Sequence, residues 1–389
     1  MFSKRNSLLR IPDRDGIVED TVEVKSLSDF KEIFIGDATA QAKQAFTAAL
    51  PKSDPKPSPE LQVQQEVMSH VYGDGRLESD AARKFISENF PAKANVMSGQ
   101  NVVISKDMVV GPSGNPLFIN ADTLTFEGGS ITAITTALTI TANTLIVKQA
   151  SQSGKRYHIG IMGLQGGNGS NGAGGTPYTS PAAAGQDSSQ GSPGICTGSK
   201  SGGDGKTGNV GNNGQNGVKG QIGLANLPAI ISIGSVDSSS GQLVVFTQSG
   251  PGGDGGSGGA GGTGQNGGHG GRGCHAACEG TNGGGGGDGG VGGVGGSGGD
   301  GGDGVDGNPI TLKIPEASRQ FIQTVTQVAA AGTGGLGGHA GNGGAGGAAG
   351  AGGKHKTDGS NGGQGKFGTA GKDGTKGTYS GAPGNIIFS

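Results

Sequence analysis

Three kinds of patterning succeed one another along this chain. Between residues 28 and 90, apolar side chains recur at three- and four-residue spacing, the period of a helix with one buried face. Phe30, Ile33, Phe34, Ala38, Ala42, Ala45, Phe46 and Leu50 predict a helix over 28–50, capped by Ser28 or Asp29. Leu61, Val67, Met68 and Val71 predict a second, from the Ser58–Pro59 start to Tyr72, and Phe85, Ile86 and Phe90 a third over 79–90, stopped by Pro91. Pro51, Pro55, Pro57 and Pro59 predict a stiff spacer between the first two. Val18, Val22 and Val24 hint at a short strand before them.

From residue 101 the pattern changes to short runs of Val, Ile, Thr and Leu separated by turn residues such as Gly111, Gly114, Asn120, Gly128, Gly129 and Asn143. Strands are predicted at 102–104, 108–110, 117–119, 123–126, 131–134, 138–141, 144–147 and 157–162. A parallel β-solenoid and a compact sandwich both fit this alternation.

Beyond residue 160 the third pattern takes over, and glycine returns every third residue. Gly252 to Gly273 keep one frame, Gly280 to Gly307 another, and four further runs begin at Gly160, Gly205, Gly332 and Gly359. A three-residue period is that of an extended polyproline-II type helix, with every third residue on one edge. A flexible linker needs no frame, so registered glycine predicts backbones approaching where a Cβ would clash. The third, fourth and much of the fifth run carry two glycines per triplet, which predicts two bare edges and an interior place. At ~3.1 Å per residue, the run from Gly252 to Gly273 would extend about 70 Å. Apolar inserts interrupt the runs: 229–233 and 243–247 read as a β-hairpin, 310–314 as a strand, 316–331 as a helix or strand, and 386–388 as an edge strand.

Composition sharpens the division. Of 89 glycines only ten precede residue 160. Collagen would need abundant proline in these triplets as well, and residues 160–389 contain only eight. The expected fold class is therefore mixed: an N-terminal helical segment (1–100), a short all-β module (101–159), and a C-terminal bundle of about six polyglycine-II helices (160–389) with inserts at 224–249 and 308–331. Formal net charge is −2, which offers no basic face for nucleic acid. No apolar stretch is long enough for a transmembrane segment, and residues 1–20 lack the apolar run of a secretory signal. The expected location is extracellular or on a virion or other particle surface, reached without a recognisable signal peptide.

The framed runs, among them GGDGGSGGAGGTGQNGGHGGRG and GGGGGDGGVGGVGGSGGDGGDG, resemble the glycine-rich domain of T-even-like phage long-tail-fibre receptor-recognising adhesins and, more distantly, springtail antifreeze proteins. The resemblance covers roughly residues 160–384. It implies a polyglycine-II bundle whose inter-run loops contact a bacterial outer-membrane receptor and whose N-terminal part attaches to a fibre.

Little in the chain points to chemistry. There is no Walker motif, nucleophile elbow, HExxH or dinucleotide fingerprint in a strand–helix context, so no enzyme and no cofactor is expected. Cys274 and Cys278 flank a turn and are disulfide candidates, with Cys196 elsewhere. As a metal site, C-x3-C with His275 and His269 lacks the second pair that zinc takes, and none is expected. Aspartates on Gly-Gly-Asp triplets, such as Asp254 and Asp300, are expected to lie along a solvated edge.

The expected function is non-enzymatic and adhesin-like: loops at the ends of a rigid body, displayed to a cell-surface receptor or glycan. Tyr178, His275, Glu279, Lys354, His355 and Lys356 are the candidate contacts, and residues 1–100 the expected attachment to a fibre or other particle partner. A secreted toxin, an ice-binding protein and a structural coat or filament protein are the alternatives.

Overall fold

The computed structural model describes residues 16–389 apart from 37, 52–58, 113, 150–155, 190–195, 197–199, 238, 240 and 277–278. Strand β1 (Val18–Val24) leads into a short helix α1 (Leu27–Phe30), which continues as a π-helical turn, Lys31–Ile35. Gly36 ends it at φ 60°, a left-handed value that glycine takes without a Cβ clash. Helix α2 (Ala40–Ala49) then starts afresh, with the Thr39 hydroxyl accepting the Ala42 N–H. The single helix expected over 28–50 is thus split by a glycine and a new cap. Helix α3 (Pro59–Tyr72) and helix α4 (Asp80–Asn89), capped by Ser79, lie where their spacing predicts; Ser58, Pro55 and Pro57 fall outside the described residues.

The strands follow as β2 (Ala92–Ile104), β3 (Met108–Val110), β4 (Leu117–Glu127), β5 (Ile131–Ile134), β6 (Leu138–Gln149) and β7 (Ile159–Met162). The glycine-rich part contributes β8 (Ala229–Val236), β9 (Leu243–Gln248), β10 (Ile310–Lys313), β11 (Ile322–Gln327, after a 3₁₀ turn) and β12 (Ile386–Phe388). Strands alternate between two sheets, ordered β1-β2-β4-β6-β8-β10-β12 and β11-β9-β7-β5-β3. All pairs are parallel except β1 with β2. This is a two-sheet solenoid, each coil giving one strand to each sheet.

Like side chains stack along it. Met97, Ile119, Ile140, Ile231, Leu312 and Phe388 occupy successive rungs of the larger sheet; Ile131, Ile159 and Val245 do so in the smaller. Most of these are fully buried. At about 1.5–3 kcal/mol per large buried side chain, this ladder is the main hydrophobic driving force. A second cluster lies on the outer face of the larger sheet, where Val96, Phe118 and Ile230 meet Phe30, Phe34 and Phe90 from the N-terminal segment. Phe34 contacts the Phe118 ring edge-on at 5.5 Å, and Lys313 Nζ donates to the Ile35 carbonyl at 2.9 Å. The described part of the N-terminal segment is therefore packed against the solenoid through Val24, Phe30, Phe34, Ile35 and Phe90.

Two local expectations are corrected here. Residues 117–126 and 138–147 each form one strand and not two, because pairing with neighbours on both sides overrides the turn preference of Asn120 and Asn143. The expected hairpin at 229–247 is not one: β8 and β9 lie in different sheets.

The expected fold class is corrected as well. The chain is a mixed α/β protein whose body is the pair of largely parallel sheets, and no polyglycine-II bundle forms a separate C-terminal body. Strands from between the glycine runs continue sheets begun before residue 159. Beyond β7, which holds Gly160, the described glycine runs contain neither helix nor strand, only isolated bridges. They are excursions from the solenoid, leaving after β7, β9 and β11 and returning before β8, β10 and β12. Glycine period reports where backbones touch, but not which side chains carry the core, and here Ile, Val and Leu between the runs do so.

The excursions leave the same corner of three consecutive coils, so their legs run side by side. Along the outgoing legs, Gly166 donates to the Pro251 carbonyl at 2.9 Å and Gly255 to Thr333 at 2.8 Å; along the returning legs, Gly208 donates to Asp288 and Gly289 to Gly363. Cross-bonds join the two layers, as from Gly256 to Val218 and from Gly299 to Gly256. In the triplet Gly255-Gly256-Ser257 the first N–H goes to the third excursion, the second to the first excursion, and the Ser257 N–H to the Asn171 side chain at 2.8 Å. Every donor of that triplet is satisfied, as buried backbone requires.

Candidate functional site

Two places bring candidate residues together: the distal tip, where the excursions turn back, and a cavity on the flank of the first. At the tip the second excursion turns through residues 274–280. Its ends are clasped by the His275–Gly280 bridge and by Cys274 N–H donating to the Thr281 hydroxyl at 2.8 Å. The third excursion turns through 353–357, where Lys356 N–H returns to the Gly353 carbonyl at 3.0 Å. His355 sits there at φ 62°, a left-handed backbone uncommon for a residue with a Cβ.

These turns are tied together. Gly280 N–H donates to the Lys354 carbonyl at 3.0 Å, Gly353 N–H to Thr281 at 2.9 Å, and Thr357 N–H to the Asn282 side chain at 3.2 Å. Lys356 Nζ lies 3.0 Å from a Glu279 carboxylate oxygen. An exposed ion pair of this kind contributes about 0–1 kcal/mol, so the backbone bonds and a disulfide set the geometry.

That disulfide joins Cys274 to Cys196 of the first excursion, with Cα atoms 6.0 Å apart. The expected pairing of Cys274 with Cys278 is corrected; Cys278 lies outside the described residues. The partner 78 residues away had no local signal in the sequence. It is near because the first and second excursions run alongside each other. Of the expected contact residues, His275, Glu279, Lys354, His355 and Lys356 therefore share one end of the molecule, all exposed.

Tyr178 does not belong to that end. It lies where TPYTSPAAA (residues 176–184) breaks the glycine frame of the first excursion, and the segment is pinned in place at four points. Asn212 Nδ2 donates to the Thr176 carbonyl and hydroxyl oxygens, both at 2.9 Å, and the Tyr178 hydroxyl to the Val210 carbonyl at 3.1 Å. Gln265 Nε2 donates to the Ser180 carbonyl at 3.1 Å, and Ala182 N–H to Asn266 at 2.8 Å. Between segment and neighbouring leg is a cavity of about 190 Å³, walled by Tyr178 to Pro181 on one side and by Thr263, Gly264 and Asn266 on the other. Thr263 and Asn266 carry no distinguishing signal in the sequence, where they stand as ordinary third positions of glycine triplets.

The Asp side chains of the triplets lie exposed or half-exposed along the expected solvated edge, and there they accept hydrogen bonds from the neighbouring leg. Asp254 accepts both the N–H and hydroxyl of Thr333, and Asp300 both of Thr375. The N–H and then the hydroxyl of these threonines hold the two carboxyls below the usual range. Burial alone would raise Asp303, but the Tyr379 N–H and both donors of Thr378 outweigh it and bring it down. These aspartates take the outward N–H groups that no carbonyl reaches. At the re-entry to the larger sheet, buried Asn226 and Asn308 cap each other, each amide donating to the other's backbone carbonyl at 3.0 and 2.7 Å. No group of three or more metal-ligating side chains occurs among the described residues. No described helix is long and apolar enough to cross a membrane.

No family model matches the chain, and no curated protein matches it. Among solved structures it is similar to a springtail antifreeze protein from Granisotoma rainieri, described as a nine polyproline type II helical bundle. Identity is 27% over 49% of this chain and 94% of that one, and the TM-score is 0.08. At that score the two folds do not superpose, and the likeness carries neither fold nor function. The expected kinship with phage tail-fibre adhesins and springtail antifreeze proteins is thereby corrected: what this chain shares with that protein is glycine-rich sequence, while its body is a solenoid of parallel sheets.

Proposed function

We propose that this protein is a non-enzymatic binding protein that presents its distal tip to a cell-surface receptor or glycan. One observation supports the reading above the others: turns from excursions roughly 80 residues apart in sequence converge at one end, locked by Cys196–Cys274 and by bonds between backbones. A recognition surface gains affinity when its loops are ordered before binding, since less entropy is lost on contact. Here the ordered loops expose His275, Lys354, His355 and Lys356, side chains that can donate hydrogen bonds, the two lysines with positive charge. The N-terminal segment, folded on the outer sheet face, is left to attach the protein to a fibre or other particle.

The test is binding of the labelled protein to a panel of intact bacterial and animal cells and to a glycan array. The triple variant His275→Ala/Lys354→Ala/His355→Ala is expected to bind about tenfold less or worse, with Tm unchanged. Binding equal to that of the parent protein would overturn the reading.

A further inference from the structure

The cavity beside Tyr178 is distinct from the tip, and its walls specify what it can hold. Seven residues line it, and none is charged: one aromatic ring, the hydroxyls of Thr179, Ser180 and Thr263, the amide of Asn266, a proline and a glycine. A phosphate, carboxylate or ammonium group would find no counter-charge there. A lipid or hydrocarbon would find too little apolar wall, because hydroxyl and amide groups dominate the surface. The volume of about 190 Å³ is below the roughly 300–1,000 Å³ of sites that enclose drug-sized molecules. It suits one small ring bearing several hydroxyls.

The site is also built in advance. Tyr178 is 37% exposed, yet its hydroxyl is held by Val210, so the ring is fixed and not free to sweep. Asn266 uses its side-chain oxygen on the Ala345 N–H at 2.9 Å, which fixes the amide. Ser180, also part of the wall, is held through its carbonyl by Gln265. The frame-breaking sequence TPYTSPAAA is what opens the space, since regular triplets would lay backbone against backbone and leave none.

We propose that this cavity is a subsite for a single neutral sugar ring, with the Tyr178 ring against its C–H groups and Thr263, Thr179 and Asn266 on its hydroxyls. The subsite deepens the binding reading by naming a ligand class, but it does not use the tip residues. A ligand that satisfies such hydroxyl and amide groups is favoured strongly over an analogue that lacks them.

Saturation-transfer NMR on the full chain, with glucose, galactose, mannose and N-acetylglucosamine at millimolar concentration and glucuronate as the charged comparison, tests this. At least one neutral sugar is expected to receive saturation, and glucuronate not. Tyr178→Ala should weaken the responding sugar about tenfold and Thr263→Val several-fold, while Tyr178→Phe, which keeps the ring, should weaken it less. The His275→Ala/Lys354→Ala/His355→Ala variant should bind the sugar as the parent does, so a failure of the tip reading is told apart from a failure here. The proposal falls if no neutral sugar responds, or if the response survives both Tyr178→Ala and Thr263→Val.

Discussion

The solenoid and its excursions are one chain stabilised in opposite ways. In the solenoid, side chains do the joining: Ile119, Ile140, Ile231 and Leu312 stack on consecutive rungs and exclude water. In the excursions, side chains are what must be absent from the joints. A Cβ on Gly256 would lie on the Ser170 carbonyl, and one on Gly299 on the Val218 carbonyl, each far inside the 3.0 Å that real contacts respect. Per residue the exchange is unequal, because a hydrogen bond nets about 0.5–1.5 kcal/mol while a large buried side chain gives about 1.5–3. Glycine also loses more freedom on ordering than any other residue. Legs of this kind hold because there are many bonds and because both ends of each excursion are already fixed in neighbouring sheets. The solenoid is the part that makes the excursions affordable.

That contrast can be broken at its strongest point first. Ile231→Ala removes a fully buried rung between Ile140 and Leu312 and should cost about 3–4 kcal/mol. Calorimetry should show sheets and excursions melting earlier together, since Ala229–Val236 receives the first excursion; loss of the sheets with the excursions intact would refute the dependence. Next in size is the staple at the tip. Cys196→Ser/Cys274→Ser opens a closure spanning 78 residues and should lower stability by about 3 kcal/mol, with faster amide exchange at 274–280 and 353–357 and little change in the sheets.

A pair of identical substitutions sharpens the comparison further. Gly256→Ala should destabilise by about 2–3 kcal/mol, because the obstructing atoms are backbone and cannot turn aside. Gly174→Ala, whose Cβ would meet only the Ala260 carbonyl at 3.5 Å, should change Tm by a degree or so at most or raise it slightly. Equal effects at the two positions would mean that close approach is not what keeps glycine there.

The smallest expected effect is an acid one. Asp254, Asp300 and Asp303 have carboxyls lowered by the donors they accept. Folded-state pKa values below the unfolded ~3.9 contribute stability that is present above that value and is lost as pH falls through the folded one. Amide exchange at Thr333, Thr375 and Thr378 should therefore quicken below about pH 4, before the buried strands respond. Asp254→Ala should bring the same quickening at Thr333 at neutral pH. Exchange at Thr333 independent of both pH and Asp254 would remove the carboxylates from the account.

Local pattern made some of this legible. The spacing of Val67, Met68 and Val71 identifies Pro59–Tyr72, Ser79 marks the start of Asp80–Asn89, and Ile386–Phe388 is the edge strand it resembles. Along the candidate site, His275, Glu279 and Lys354 to Lys356 could be picked out as turns between glycine runs. Their meeting at one tip could not, nor could the Thr263 and Asn266 wall facing Tyr178.

What the amino-acid order determines by itself is where backbones have to lie against one another, since a missing Cβ every third residue is a local fact. It also determines which short segments are apolar enough to be strands. Only the tertiary structure decided that strands as far apart as Leu138–Gln149 and Ala229–Val236 are neighbours, that the segments at 229 and 243 part into different sheets, and that Cys274 takes Cys196. Those choices depend on which ladders of Ile, Val and Leu stack best once whole excursions have been looped out. The cost of such a loop grows only slowly with its length, so neighbouring sequence leaves no trace of the partner chosen.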